Sequence, residues 1–460
     1  GAIAIVMALV LAGLAVGAAV TARLAQAWPV PRAQRAYAVA ELGIATTALL
    51  APLLMSLGTP LLMATYNEGH GGAAFAAARL AVVIAALGIP SFLMGATFPL
   101  SVRVADGALT SARVIYAVNT LGAALGAGMT AFVAVPQLGL RGTTIAAAGL
   151  NILAAALVVR APVTAPVTPP TGMSAPPRST RGRPAAEAHP APPEFGLLAV
   201  VVVSGAITLA YEVLVTRLIA LAIGPTTYAF GAALVLFIVG LGAGALMPSI
   251  PWIARQPVRA LGAALAAGAL AAGWLAHQPA ALFLRVADIV GGAESFSRVF
   301  VRETLLLGSI VLPLAIAGGM VLPLALARFD QLPARVAPAS RAYAWSTIGS
   351  ILGSLLAGFV LIPWLGLSRA LQVAGACGAL VALAWAVVAV KGTRWRIALG
   401  LAAAAALAAT LTARPPDPRL LSSGAYKYAS DRAGLDQQAL LEAGTLLFNR
   451  ESEAGTVTVR

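Results

Sequence analysis

The residue best placed to do chemistry is Glu212, an acid in the middle of a long apolar stretch. Thr216 lies four residues further on, so a helix would place both side chains on one face. Arg217 follows within reach of a long side chain, and Tyr211 precedes the acid. An acid inside a membrane segment is costly and points to function, here cation binding or proton relay. The alternative is a structural carboxylate paired with Arg217 or with a neighbouring helix.

Two further polar residues occupy matching places in two similar strings. Asn119 is the fourth residue of the string at 116–122, and Ser346 is the fourth residue of the string at 343–349. Either side chain could line a pathway, but a hydrogen bond between helices is the more common role. Both therefore join Glu212 and its neighbours as candidates for a buried polar site.

Other kinds of chemistry leave no signal in the sequence. The three histidines lack the spacing of metal ligands, and no nucleophile elbow of the form Gly-x-Ser-x-Gly is found. The single cysteine, Cys377, lies in an apolar run. We therefore predict no catalytic, cofactor-binding or metal-binding residue within these 460 residues.

Composition identifies the environment in which these residues lie. Apolar residues make up 60% of the chain and charged residues only 10%, and the mean hydropathy is +0.90. A soluble domain carries about 25% charged residues. The chain is therefore predicted to be an integral membrane protein, and its net charge of +14 indicates basic loops beside the membrane rather than nucleic-acid binding.

Continuous apolar segments of about 20 residues predict membrane-spanning helices rather than the alternating strands of a barrel. We predict an all-α integral membrane fold with about twelve spans. Their approximate limits are 2–22, 36–57, 78–102, 114–135, 141–159, 196–222, 227–248, 259–276, 303–326, 343–362, 369–390 and 397–412.

Lys and Arg residues are distributed unevenly between alternate loops. One side carries 17 of them and the other carries 7, while the rest follow Thr412. The richer side is predicted to be cytoplasmic. It includes a linker at 160–195 that is rich in proline and arginine, so we expect an extended cytoplasmic segment.

The two halves of the chain resemble each other at a shift of 227 residues. The shift carries 116–122 onto 343–349 and 136–140 onto 363–367, and it carries Gly13 and Gly17 onto Gly240 and Gly244. Because basic loops map onto basic loops, the repeats are predicted to be parallel. The helix at 196–222 has no counterpart in the first half. We therefore expect the chain to begin partway into a longer protein with 6 + 6 + 1 spans.

The last residues predict a soluble element. The segments 445–450 and 456–459 have the pattern of two strands joined by a polar turn, which is typical of a hairpin. We thus divide the chain into a first repeat at 1–159, the linker, a second repeat at 196–390, an extra helix at 391–412, and the start of a soluble domain at 413–460.

Several strings together resemble a known family. They are the strings at 94–100, 116–122, 136–142, 211–218 and 224–230, with a weaker match at 446–459. This set is similar to the membrane region of bacterial fused spermidine synthase-like proteins, also described as fused major-facilitator/spermidine synthase proteins.

The resemblance implies a multi-pass protein of the bacterial inner membrane whose hairpin opens an aminopropyltransferase-type domain. That domain would take decarboxylated S-adenosylmethionine as a substrate and hold a polyamine with acidic residues. Two alternatives stay open. One is a secondary transporter or exporter of a polyamine or another cation, and the other is a non-catalytic scaffold in a larger membrane complex. Besides the lipid bilayer, the expected partners are further copies of the chain or subunits of such a complex, and not nucleic acid.

Overall fold

A computed structural model describes residues 2–25, 27–66, 72–105, 112–162, 194–292, 295–329, 337–424, 426, 444–452 and 456–459. These residues form a helical bundle with one short β hairpin. Within the described ranges, ten helices are long and apolar enough to cross a membrane. The predicted class, an all-α integral membrane protein, is confirmed, and most of the predicted linker lies outside the described residues.

The first half of the chain contributes five helices. They are α1 (Ala2–Ala25), α2 (Val30–Thr65), α3 (Ala73–Ala105), α4 (Ala112–Met129) and α5 (Val135–Arg160). A π-helical turn, Thr130–Ala134, joins α4 to α5 without a loop. The predicted spans fall inside these helices, but α2 and α3 extend well beyond their predicted limits because apolar residues continue past the minimum spanning length.

The second half contains the remaining helices and the only two strands of the described residues. The helices are α6 (Glu194–Ile223), α7 (Thr227–Leu246), α8 (Pro251–Ala254), α9 (Pro257–Ala276), α10 (Gln278–Gly291), α11 (Phe296–Phe329), α12 (Ala337–Leu356), α13 (Ile362–Val388), α14 (Thr393–Thr412) and α15 (Pro418–Leu421). A second π-helical turn, Ala357–Leu361, joins α12 to α13. The strands are β1 (Phe448–Glu451) and β2 (Thr456–Val459).

Ten spanning helices replace the twelve predicted because two pairs are continuous. Helical structure runs without a loop from Val118 to Arg160 and from Ala344 to Val388, over 43 and 45 residues. Each run is nevertheless kinked at a glycine that leaves the helical region, with φ 67° at Gly139 and φ 75° at Gly366. The predicted interruptions therefore exist as kinks rather than as loops.

Three helices of the described residues were not predicted, namely the one-turn helices α8 and α15 and the longer α10. The 14-residue α10 lies between two spans and buries one apolar face, which includes Leu282, Phe283 and Val286. It is too short to cross a membrane, and its opposite face carries Arg285 and Asp288. A search for continuous apolar segments passes over such an amphipathic helix.

Glycines set the distance between several helices. A Cβ at Gly17 of α1 would strike the carbonyl oxygen of Phe92 in α3, and a Cβ at Gly244 of α7 would strike that of Ile316 in α11. Small residues thus let the backbones of these helix pairs approach closely. At Gly122 of α4, no described atom lies within 4 Å of where its Cβ would be.

The hairpin is confirmed, with β1 and β2 antiparallel. Phe448 lies opposite Val459, and Glu451 lies opposite Thr456. The first strand begins three residues later than predicted, and it includes Glu451, which the sequence had placed in the turn.

Candidate functional site

The C-terminal hairpin is bound to one end of the helical bundle through Arg217 of α6. Its guanidinium Nη2 donates a hydrogen bond to the Thr456 hydroxyl at 2.9 Å and approaches the Ser452 carbonyl at 3.5 Å. Arg217 is half-buried, and the residues after it, Leu218 and Ile219, are fully buried. The apolar end of α6 therefore fixes the stem of a side chain whose charged head reaches the hairpin.

A second contact joins the hairpin to α13. A carboxylate oxygen of Glu451 accepts a hydrogen bond from the backbone N–H of Leu367 at 2.9 Å. Leu367 directly follows the kink at Gly366, so its N–H belongs to the first turn of a resumed helix and lacks a helical acceptor. A carboxylate at such a helix start is also favoured by the helix dipole.

The two contacts also involve opposite charges, because Glu451 lies near enough to Arg217 to interact with its positive charge. We call Arg217, Leu367, Glu451 and Thr456 the hairpin clamp. The Nε of Arg217 is buried, and among the described residues it has no hydrogen-bond partner. The clamp holds a charged pair at the edge of an apolar bundle, an arrangement suited to docking.

Other contacts place the C-terminal segment at the same end of the bundle. The side-chain amide of Gln372 in α13 donates to the Ala413 carbonyl just after α14, at 2.6 Å. The ring of Tyr426 lies against Gly224, which follows α6 with φ 90°. The end of α14 and the hairpin thus lie beside the end of α6.

Tyr211 has a structural role in this site. Its side chain is 1% exposed, and its hydroxyl donates to the Leu371 carbonyl of α13 at 3.0 Å. The hydroxyl also lies against Gly375, where a Cβ would approach it to 2.9 Å. This bond ties α6 to the part of α13 that carries the clamp.

Glu212 and Thr216 are buried in α6, each 8% exposed. The predicted pairing of Glu212 with Arg217 is not found among the described residues, because Arg217 bonds to the hairpin instead. A cavity of about 50 Å³ lies nearby between α6, α9, α11 and α13. Tyr211 lines it and Glu212 does not. Glu212 is thus a buried acid beside, but not inside, a small apolar cavity.

The remaining candidates lie apart from the clamp. The backbone carbonyl of Ser346 in α12 faces α6, where a Cβ at Gly205 would approach it to 2.7 Å. Asn119 lies on an exposed face of α4. The six residues predicted as one polar site therefore divide into four on α6 and two on separate helices.

Glu451 is a site residue that the sequence pattern did not predict. Its assignment to a polar turn hid it, and nothing local reveals which surface the hairpin meets. On the partner helix a weak signal of the kink existed, because the string Gly-Leu occurs at both kinks, at 139–140 and 366–367.

Metal ligands do not cluster in the part of the chain that the structure describes: no three His, Cys, Asp or Glu residues lie close enough to hold an ion. His277 follows α9, and its Nε2 lies 2.8 Å from the carbonyl of Ala409 in α14. The other two histidines lie outside the described residues.

Comparison with known proteins finds no matching family model and no matching curated protein. The site is therefore interpreted from its own geometry.

Proposed function

We propose that this chain is the membrane region of a spermidine synthase-like protein, and that its bundle anchors the aminopropyltransferase-type domain opened by the hairpin. The observation that carries the proposal is the hairpin clamp. A lone two-stranded hairpin is marginally stable in water. Here the Arg217 guanidinium and the Leu367 N–H after the kink each donate a hydrogen bond to the hairpin, and Arg217 also supplies a positive charge. An anchor for a following domain requires such contacts.

In this proposal the bundle consists of two parallel repeats. The two π-helical turns, Thr130–Ala134 and Ala357–Leu361, are related by the shift of 227 residues, and so are the kinks at Gly139 and Gly366. Packing repeats as well. The contact of α1 with α3 uses the same glycine positions as the contact of α7 with α11. Coincidence at both levels supports a duplicated unit.

Twelve crossings follow from the same kinks. A straight helix of 45 residues would measure about 68 Å, more than twice the roughly 30 Å of a hydrocarbon core. Each long run must therefore turn back at its glycine and cross twice. With the basic loops in the cytoplasm of a bacterial inner membrane, the linker at 160–195 is cytoplasmic, and the hairpin clamp lies at the outer face.

The enzymatic part of the proposal is tested on the protein expressed from its whole gene. Purified protein is incubated with putrescine and decarboxylated S-adenosylmethionine, and we expect spermidine to form. If protein that retains a cooperative thermal transition yields no spermidine, the aminopropyltransferase assignment is overturned. The anchoring role is tested separately, by hydrogen exchange of the hairpin in the Glu451→Ala variant.

A second candidate, transport of a polyamine or another cation, is favoured by Glu212. Its side chain is buried, 8% exposed, in a spanning helix. In proteoliposomes, uptake of labelled putrescine should be abolished by Glu212→Gln and retained by Thr216→Val. Uptake that survives Glu212→Gln unchanged would contradict this role.

A further inference from the structure

Five cationic side chains lie at the end of the bundle where α9 and α14 begin. They belong to two turns, one between α8 and α9 and the other between α13 and α14. We call these residues the basic cluster; they are Arg255, Arg259, Lys391, Arg394 and Arg396. The two turns are held together, because the indole Nε1 of the buried Trp385 in α13 donates to the Val258 carbonyl of α9 at 3.0 Å.

Arg259 is oriented by contacts with both turns. Its Nη1 donates to the side-chain oxygen Oε1 of Gln256 at 2.6 Å, and its guanidinium carbon lies 5.8 Å from the centre of the Trp395 ring. Its Nη2 lies beside Gly392, where a Cβ would approach it to 3.5 Å. A guanidinium carries five N–H donors in one plane and binds a phosphate through two parallel hydrogen bonds. The contacts of Arg259 therefore preorganise it for an oxyanion.

The positive charge of the basic cluster is not balanced on the helices that carry it. None of α8, α9, α13 and α14 contains Asp or Glu. The sequence has no acidic residue between Glu212 and Asp288, and none between Asp330 and Asp417. Cations placed together repel one another, so an anion bound among them would relieve the repulsion.

The basic cluster lies at the depth of lipid headgroups. The helices α9 and α14 each contain 20 residues, a length of about 30 Å that matches the hydrocarbon core of a bilayer. The cluster residues precede these helices or lie in their first turns. Trp252 and Trp395, at the same end, are 71% and 48% exposed, and tryptophan is enriched at membrane interfaces. The anion present at this depth is a lipid phosphate.

We propose that the basic cluster binds the phosphate headgroup of an anionic phospholipid. The Arg259 guanidinium bonds the phosphate oxygens, and the exposed Lys391 and Arg394 add positive charge beside them. One acyl chain then lies along α14, where Ile397 and Leu401 are 55% and 65% exposed on the face that carries Arg394. The proposal depends on the membrane-spanning fold and not on the enzymatic assignment.

Lipid binding is tested with protein expressed from its whole gene and purified in a neutral detergent. Native mass spectrometry gives the dissociation constants of phosphatidylglycerol and of phosphatidylcholine with the same acyl chains, and we expect phosphatidylglycerol to bind more tightly. Lys391→Gln with Arg394→Gln should weaken phosphatidylglycerol binding about twentyfold, since each cation at the membrane surface contributes about fivefold. Equal affinity for the two lipids would overturn the proposal.

The control removes two exposed cations from the first half of the chain, Arg35 and Arg160, which are predicted to lie on the same side of the membrane. Arg35→Gln with Arg160→Gln should leave the affinity for phosphatidylglycerol nearly unchanged. An equal loss in both double variants would show a general charge effect rather than a site, and would overturn the proposal.

Two further measurements test the chemistry and the source of the anion. Arg259→Lys keeps the charge but loses the planar fork, so phosphatidylglycerol binding should weaken severalfold; full affinity would contradict the role of the guanidinium. In native membranes, a phosphatidylglycerol analogue with a diazirine in its headgroup should crosslink to the turns that carry the basic cluster. Crosslinks confined to other segments, or displacement of the bound lipid by equimolar inorganic phosphate, would overturn the assignment to a lipid.

Discussion

At the scale of single residues, the contacts of the hairpin depend on two charges that lie 234 positions apart in sequence, Arg217 and Glu451. Arg217 of α6 donates to the neutral Thr456 hydroxyl of the hairpin. Glu451 of the hairpin accepts from the neutral Leu367 N–H of α13. Hydrogen bonds that involve a charged group contribute about 1.5–3 kcal/mol. The clamp is therefore strong enough to decide whether a short hairpin is docked.

Loss of the Glu451 carboxylate should release the hairpin. We expect Glu451→Ala to increase hydrogen exchange of the paired amides in β1 and β2 by roughly tenfold or more, because about 1.4 kcal/mol corresponds to tenfold in an opening equilibrium. The neighbouring exposed Arg450 supplies the control, and Arg450→Ala should leave exchange nearly unchanged. Equal exchange in both variants would show that the clamp does not hold the hairpin.

Removal of one hydroxyl should loosen the contact between α6 and α13. Tyr211→Phe leaves the Leu371 carbonyl without its side-chain donor, at a cost of about 1 kcal/mol. We predict a lower thermal transition, measured by the loss of monomeric protein in detergent on heating. Tyr66→Phe, at a half-exposed tyrosine, should not change the transition, and an unaltered transition in Tyr211→Phe would remove its proposed role.

Residue types in the sequence were enough to select α6 as the important helix, but not to assign its contacts. Tyr211 and Arg217 do bind other elements, whereas Glu212 is not paired with Arg217 in the described residues. The partner of Arg217 is 239 residues away. Periodicity along one helix cannot reveal a partner that distant, so the clamp could only be found from the fold.

At the scale of elements, the kinks at Gly139 and Gly366 are equivalent in backbone shape but differ in surroundings. Both have positive φ and extended ψ, a conformation that is essentially restricted to glycine. Gly366 also lies against the Glu451 carboxylate, whereas no described atom lies near a Cβ at Gly139.

Substitution by alanine should separate these two effects. Gly139→Ala and Gly366→Ala should each destabilise the protein by roughly 1–3 kcal/mol through backbone strain. Only Gly366→Ala should also increase hydrogen exchange in the hairpin, since its Cβ would approach a Glu451 oxygen to 3.3 Å. Faster hairpin exchange in Gly139→Ala would contradict the assignment of the clamp to the second kink.

Close helix contacts should be equally sensitive in the two halves. We predict that Gly17→Leu and Gly244→Leu both lower thermal stability strongly, because each side chain would displace a neighbouring backbone carbonyl. Gly149→Leu, where no described atom lies within 4 Å, should be tolerated. Thermal stability in detergent measures all three, and a strong effect at only one repeat position would weaken the case for a duplicated unit.

Helix positions were largely predictable because a spanning helix satisfies its backbone polar groups internally and shows as a continuous apolar run. The sequence also marked both kinks through Gly-Leu after a proline, at 136–140 and 363–367. It did not show that the helices continue through them, since π-helical turns have no composition of their own. The amphipathic α10 was missed for the opposite reason, as its apolar residues cover one face only.

At the scale of the whole molecule, we propose two copies of one helical unit that cross the membrane in the same direction. The hairpin clamp joins the end of α6 to the start of the straight part of α13. Basic residues such as Lys391, Arg394 and Arg396 lie at the other end of α13, before and within the first turn of α14. Orientation of the helices therefore also decides on which side the hairpin lies.

Thiol labelling from each side of the membrane tests this claim most directly. In a Cys377→Ala background, single cysteines replace Arg160, the last residue of α5, and Lys391, which follows α13, or Leu138 and Leu365, which adjoin the two kinks. With a membrane-impermeant maleimide, the first pair should react in inside-out vesicles and the second pair in intact spheroplasts. If the two members of either pair react from opposite sides, the repeats are inverted and the account is contradicted.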